Sequence, residues 1–112
     1  MFVAWTTTLS RSDAEHLAQG AIELNLAFCA QIDGPIKSYY RSDGILTEAE
    51  EFRICFKCLS GNTSPLSNWV HAHHPYDIPQ WIVVAAENVG EKYLSWAKTN
   101  STSPTSQSQK SP

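Results

Sequence analysis

Phe52-Arg53-Ile54-Cys55-Phe56-Lys57-Cys58 sets Phe52, Ile54, Phe56 and Cys58 against Arg53, Cys55 and Lys57 at a period of two. That is the pattern of a strand with one face on a core. Upstream stands Asp43-Gly44, a dipeptide suited to the left-handed dihedrals of a tight hairpin turn. The segments before that turn, residues 26–32 and 36–41, are apolar and aromatic and read as one strand. Gly34-Pro35 interrupts it as a bulge or bend, since proline cannot donate to a ladder. The middle of the chain is therefore a long hairpin.

Further upstream, residues 2–8 are β-branched and aromatic and read as a first strand. Ser10 follows as a helix N-cap, with Asp13 three residues on. Ala14, Leu17, Ala18, Ala21 and Ile22 recur at helical spacing to about residue 25. Downstream, residues 61–64 break the pattern, and Ser64-Pro65 fits the N-cap and first position of a second helix. Leu66, Trp69, Val70 and His73 form its apolar stripe, and Pro75 and Pro79 end it. Residues 81–86 read as a fourth strand. Asn88, with Glu91, opens a third helix carrying Val89, Tyr93, Trp96 and Ala97.

The order β-α-β-β-α-β-α predicts an α+β fold: a ferredoxin-like split β-α-β with a four-stranded antiparallel sheet and an extra C-terminal helix. Both faces of the first and fourth strands are apolar. The sheet face away from the helices is thus expected to pack on other subunits.

The 112 residues suffice for one domain. Composition changes after Lys98: residues 99–112 hold Ser, Thr, Asn, Gln, Pro and one lysine. The expected organisation is a domain over residues 1–98 and a disordered tail over 99–112. A net charge of −3 without any basic run argues against nucleic acid and anionic membranes. No stretch approaches the ~20 apolar residues of a membrane helix. Three cysteines do not make a disulfide framework, and no leader pattern is visible at the N-terminus. Both observations point to a cytoplasmic location.

The densest polar cluster is His71-Ala72-His73-His74-Pro75-Tyr76-Asp77, with three imidazoles at a helix end. Imidazole with a nearby carboxylate suits copper or zinc. On a helix, however, His71 and His73 point ~200° apart, and only His71 and His74 share a face. One chain would offer two imidazoles to one ion, and the rest would come from elsewhere. The competing use is the capping of the helix's last carbonyls. Cys55-Phe56-Lys57-Cys58 lies in a strand, where positions three apart face opposite sides, so it is neither a redox nor a zinc motif. Glu48, Glu50 and Glu51 read as a solvated acidic face. No nucleophile elbow, phosphate loop or paired carboxylates mark a catalytic site, so the chain is expected not to be an enzyme.

Several segments resemble the CutA divalent-cation-tolerance family. They are Ala4-Trp5-Thr6-Thr7, Leu26-Ala27-Phe28-Cys29-Ala30-Gln31-Ile32, Ser38-Tyr39-Tyr40 with Asp43-Gly44, Phe56-Lys57, and Tyr93-Leu94-x-Trp96. The most specific is His74-Pro75-Tyr76-Asp77-Ile78-Pro79, similar to the family's His-Pro-Tyr-x-x-Pro signature. Arg41-Ser42-Asp43-Gly44 departs from the tryptophan usual in the family's hairpin. Trp5 replaces a residue that is cysteine in some members.

The resemblance implies a tight homotrimer of ferredoxin-like subunits and a role in tolerance of copper and other divalent cations. The metal candidates are then His74, His73 and Cys29, with Asp77 as an oxygen or orienting group and His71 as the alternative imidazole. Copper(II) or another divalent cation would be the bound species. The alternative is a trimeric module, like the PII signalling proteins, that binds a small molecule or partner protein between subunits. There Tyr39, Tyr40, Asp43 and Tyr76 would line the pocket.

Overall fold

The structure is a computed structural model and describes residues 1–101. The elements follow the expected order: β1 (Phe2–Thr8), α1 (Arg11–Glu23), β2 (Cys29–Ser42), β3 (Ile45–Cys58), α2 (Thr63–His73), β4 (Ile82–Ala85) and α3 (Glu91–Asn100). The strands form one antiparallel sheet in the order β2-β3-β1-β4. This is the ferredoxin-like α+β arrangement.

Local chemistry explains most boundaries. Ser10 caps α1, its Oγ accepting from the Asp13 N–H at 3.0 Å. Asn25, at φ 61°, takes the left-handed position just past the end of α1. The β2–β3 turn places Asp43 at φ 51° and Gly44 at φ 78°, the geometry an Asp-Gly hairpin turn requires. Gly34-Pro35 is a cis peptide at a register shift between Asp33 and Ile36. Gly34 has φ 143°, and a Cβ there would lie 3.0 Å from the Glu51 carbonyl oxygen.

Several boundaries differ from expectation. β2 begins at Cys29, three residues late, because residues 24–27 turn the chain out of α1 and pairing starts only with Phe28, whose N–H donates to the Lys57 carbonyl at 3.0 Å. β3 begins at Ile45, well before the alternating stretch, because the tight turn lets the hairpin pair along its whole length. The second helix is entered through a 3₁₀ turn over Ser60–Asn62, so its cap is Asn62 and Pro65 is its third residue, within the first turn. Gly90, not Asn88, caps α3. That helix continues past Lys98 to Asn100, and Asn25 Nδ2 donates to the Ser101 carbonyl at 3.1 Å. The remainder of the expected tail lies outside the described residues.

Strand register separates the two sheet faces. Ala4, Thr6, Ile54, Phe56 and Cys58 lie on the face covered by α1 and α2, where they meet Leu17, Ala21, Leu66 and Val70. Val3, Trp5, Arg53, Cys55 and Lys57 lie on the opposite face. There the register adds Ile82 and Val84 of β4, which are 51% and 42% exposed. Cys55 and Cys58 thus face opposite sides, as alternation demands. No helix among the described residues is long and apolar enough to cross a membrane.

Candidate functional site

Residues 74–80 leave α2 and cross the end of β1. Pro75 forbids helical dihedrals at His74, which adopts φ −75° and ψ 138° and ends α2. That turn drives the His74 imidazole inward until it is only 9% exposed. Its Nδ1 accepts the Tyr76 backbone N–H at 3.0 Å. Its Nε2 therefore carries the proton and donates to the Thr7 carbonyl at 3.0 Å, with Thr6 Oγ1 also at 3.0 Å. Burial pushes the His74 pKa below the ordinary histidine value, and the bond to Thr7 only partly offsets this. His74 is a neutral imidazole with both nitrogens engaged.

Tyr76, two residues on, sends its O–H to Glu51 Oε2 at 2.8 Å. Burial, then the bond to Glu51, push the phenol pKa well above its usual value, which keeps the donor protonated. Glu51 is 8% exposed and so departs from the solvated face expected of the three glutamates. Its position on β3, in phase with Arg53, puts it on the helix-free side of the sheet under the 74–80 loop.

Tyr76 and Glu51 border a cleft of about 740 Å³ that also takes in Thr7, Ser38, Tyr39 and Tyr40. Ile78, Pro79 and Gln80 of the loop close one side. Three of the four expected pocket residues, Tyr39, Tyr40 and Tyr76, come together here. Asp43 sits at the exposed hairpin tip and does not line the cleft. Glu51 was missed because a glutamate among glutamates carries no burial signal. Its position in the alternation with Arg53 and Cys55 was the available clue.

The metal candidates are scattered. His73 is exposed on α2, donates Nδ1–H to the Trp69 carbonyl at 2.9 Å and stacks on the Trp69 ring. His71 does likewise with the Ser67 carbonyl at 2.7 Å and stands edge-on to Trp81. Both thus bond back to a carbonyl one turn earlier in α2, not to the unpaired carbonyls of its last turn. Asp77 is exposed in the loop. Cys29 pairs with Lys57 in the row of Val3, four residues along the sheet from the row of Thr7. That offset is about 13 Å along the strands. Cys29 lies beside Tyr93, whose pKa is pushed up to about 12 by burial first and by this thiol second. No group of three or more His, Cys, Asp or Glu that could hold a metal ion occurs among the described residues.

The same fold recurs in known proteins. The family model of the CutA1 divalent ion tolerance protein matches residues 2–100. The chain belongs to the CutA1 family. It is 32% identical over 98 residues to the chloroplastic CutA protein of Arabidopsis thaliana, covering 88% of this chain and 54% of that one. It is 31% identical over 93 residues to the CutA homolog of Xenopus laevis, covering 83% and 62%. The chain thus spans a little over half the length of these two relatives. Among solved structures, CutA1 of Ehrlichia chaffeensis superposes with a TM-score of 0.87 at 27% identity, covering 90% of this chain and 94% of that one. CutA of Synechococcus elongatus gives 0.86 at 30%, covering 90% and 89%.

Proposed function

We propose that this chain serves the cell's tolerance of divalent cations as a trimeric binding protein, not an enzyme, and that its working site is the cleft under the 74–80 loop. One observation carries the reading: the His74, Tyr76 and Glu51 contacts brace a cleft of about 740 Å³ lined by three tyrosines, within the size range of small-molecule sites. The uncovered apolar face of Val3, Trp5, Ile82 and Val84 supports the trimer, since such a surface is ordinarily buried by a partner. A cytoplasmic location accords with the reduced cysteines, all three of them free.

Direct copper binding by His73, His74, Cys29 and Asp77 fits the geometry less well. His74 would have to give up at least one of its hydrogen bonds, and Cys29 lies too far along the sheet to share its ion. His73 keeps Nε2 for a ligand, so a copper site built on it needs its other donors from a neighbouring subunit. Calorimetry with Cu(II) separates the readings. Affinity unchanged in a folded, trimeric His73→Ala/His74→Ala variant supports the cleft, and affinity lost in that variant restores the metal site.

A further inference from the structure

Glu51 is the chemical anomaly of the cleft. A carboxylate that is 8% exposed ordinarily stands against a cation, because an unpaired buried charge is costly. Among the described residues, the ion pairs are Lys37–Glu48 and Arg53–Asp33, and neither reaches Glu51. Only Oε2 receives a hydrogen bond, from a neutral phenol, and Oε1 has no partner among the described residues. Among the described residues, no lysine, arginine or histidine lines the cleft.

The rest of the lining favours the same kind of guest. Tyr39, Tyr40 and Tyr76 bring ring faces, whose quadrupole attracts an organic cation, and Thr7, Ser38 and Gln80 add neutral polar groups. A hard divalent cation takes six to eight oxygen ligands, usually several of them carboxylates, and the cleft supplies a single carboxylate. An anion would meet Glu51 with nothing to offset it.

We infer that the cleft binds a small organic ammonium ion, with Glu51 Oε1 accepting its N–H and the tyrosine rings enclosing its carbon frame. This rests on the reading of the cleft as the working site, and the test is arranged to separate the two.

Three probes of one shape and different charge serve: benzylammonium, benzyl alcohol and benzoate. Each is titrated into the full-length protein while amide resonances of residues 39, 40, 51 and 76 are followed by NMR. Benzylammonium is expected to saturate those shifts about tenfold or more tighter than benzyl alcohol, as a charge-assisted bond in a partly dry site requires. Benzoate is expected to leave them unmoved. Glu51→Gln keeps an acceptor for the Tyr76 O–H and should bring the cation and the alcohol to within about twofold of each other. Tyr40→Leu, which leaves the Glu51–Tyr76 bond in place, should weaken benzylammonium alone and covers the case in which Glu51→Gln misfolds. Equal or tighter binding of the alcohol or benzoate overturns the ammonium assignment and leaves the cleft standing. Shifts from none of the three overturn both.

Discussion

The Nε2 of His74 lies 3.0 Å from the carbonyl oxygen of Thr7, 67 residues earlier in the chain, and this bond fastens the end of α2 to the end of β1. Replacing His74 with alanine leaves the Tyr76 N–H and the Thr7 carbonyl without their partner in a buried setting. The expected loss is about 1–3 kcal/mol for each such group that water cannot reach. Urea denaturation measures it, and a loss below about 0.5 kcal/mol, the range of an ordinary surface substitution, would show that the loop is not fastened there.

The same imidazole predicts a pH dependence. Its folded-state pKa is lowered, so the native protein binds the proton less readily than the unfolded chain. Its contribution is fully present above the unfolded value, about 6.5. It falls as pH drops below that value and levels off below the folded one. Stability measured from pH 8 to 5 should decline in this window. In His74→Asn, which keeps an acceptor for the Tyr76 N–H but cannot titrate, the decline should shrink. An identical slope in the two proteins would assign the pH dependence to other groups.

Gly20 predicts a reversal of the usual helix rule. Alanine ordinarily stabilises a helix interior over glycine by about 1 kcal/mol. Here a methyl would strike the indole of Trp69, where α1 crosses α2. Gly20→Ala is expected to destabilise by about 1–3 kcal/mol, the usual cost of overpacking. A raised thermal midpoint would show that Trp69 repacks freely, its stacking on His73 notwithstanding.

Assembly can be read directly. Sedimentation equilibrium at micromolar concentration is expected to give three times the 12.5 kDa chain mass. Trp5→Glu, on the open face of the central strand β1, should release monomers. A wild-type monomer at that concentration would mean that the apolar face of Val3, Trp5, Ile82 and Val84 has another use.

The fold was readable because its signals are local: alternation at residues 52–58, the Asp43-Gly44 turn, the Ser10 cap and the prolines after α2. The ends of elements were less so. Pairing of residues 45–51 across the hairpin is a tertiary gain that an acidic stretch does not advertise, and a 3₁₀ turn can shift a helix start without changing its stripe. The cleft was half visible. Adjacent tyrosines and the His-Pro-Tyr loop could be picked out, but burial of Glu51 depends on a loop arriving from 25 residues away. The histidines were legible only as a cluster. Helical spacing put His71 and His74 on one face, but the backbone turn at Pro75 sends His74 into the protein while His71 and His73 stay on the helix surface.

The Gly34-Pro35 bulge gives β2 one more residue than β3 between Asp33 and Ile36. Odd and even positions of β2 therefore exchange sides at that point. Cys29, Gln31 and Asp33 share a side with Arg53 before it, and Ile36, Ser38 and Tyr40 share a side with Glu51 after it. Deleting one residue together with the bulge would leave Ile36, Ser38 and Tyr40 on that side, still paired as before. Drawing the extra residue into the ladder would instead slip the pairing by one and turn Lys37 and Arg41 to the side of Glu51. The cleft would then carry its own counter-charge. Which sign of guest the cleft admits thus depends on one residue of β2 staying out of the ladder.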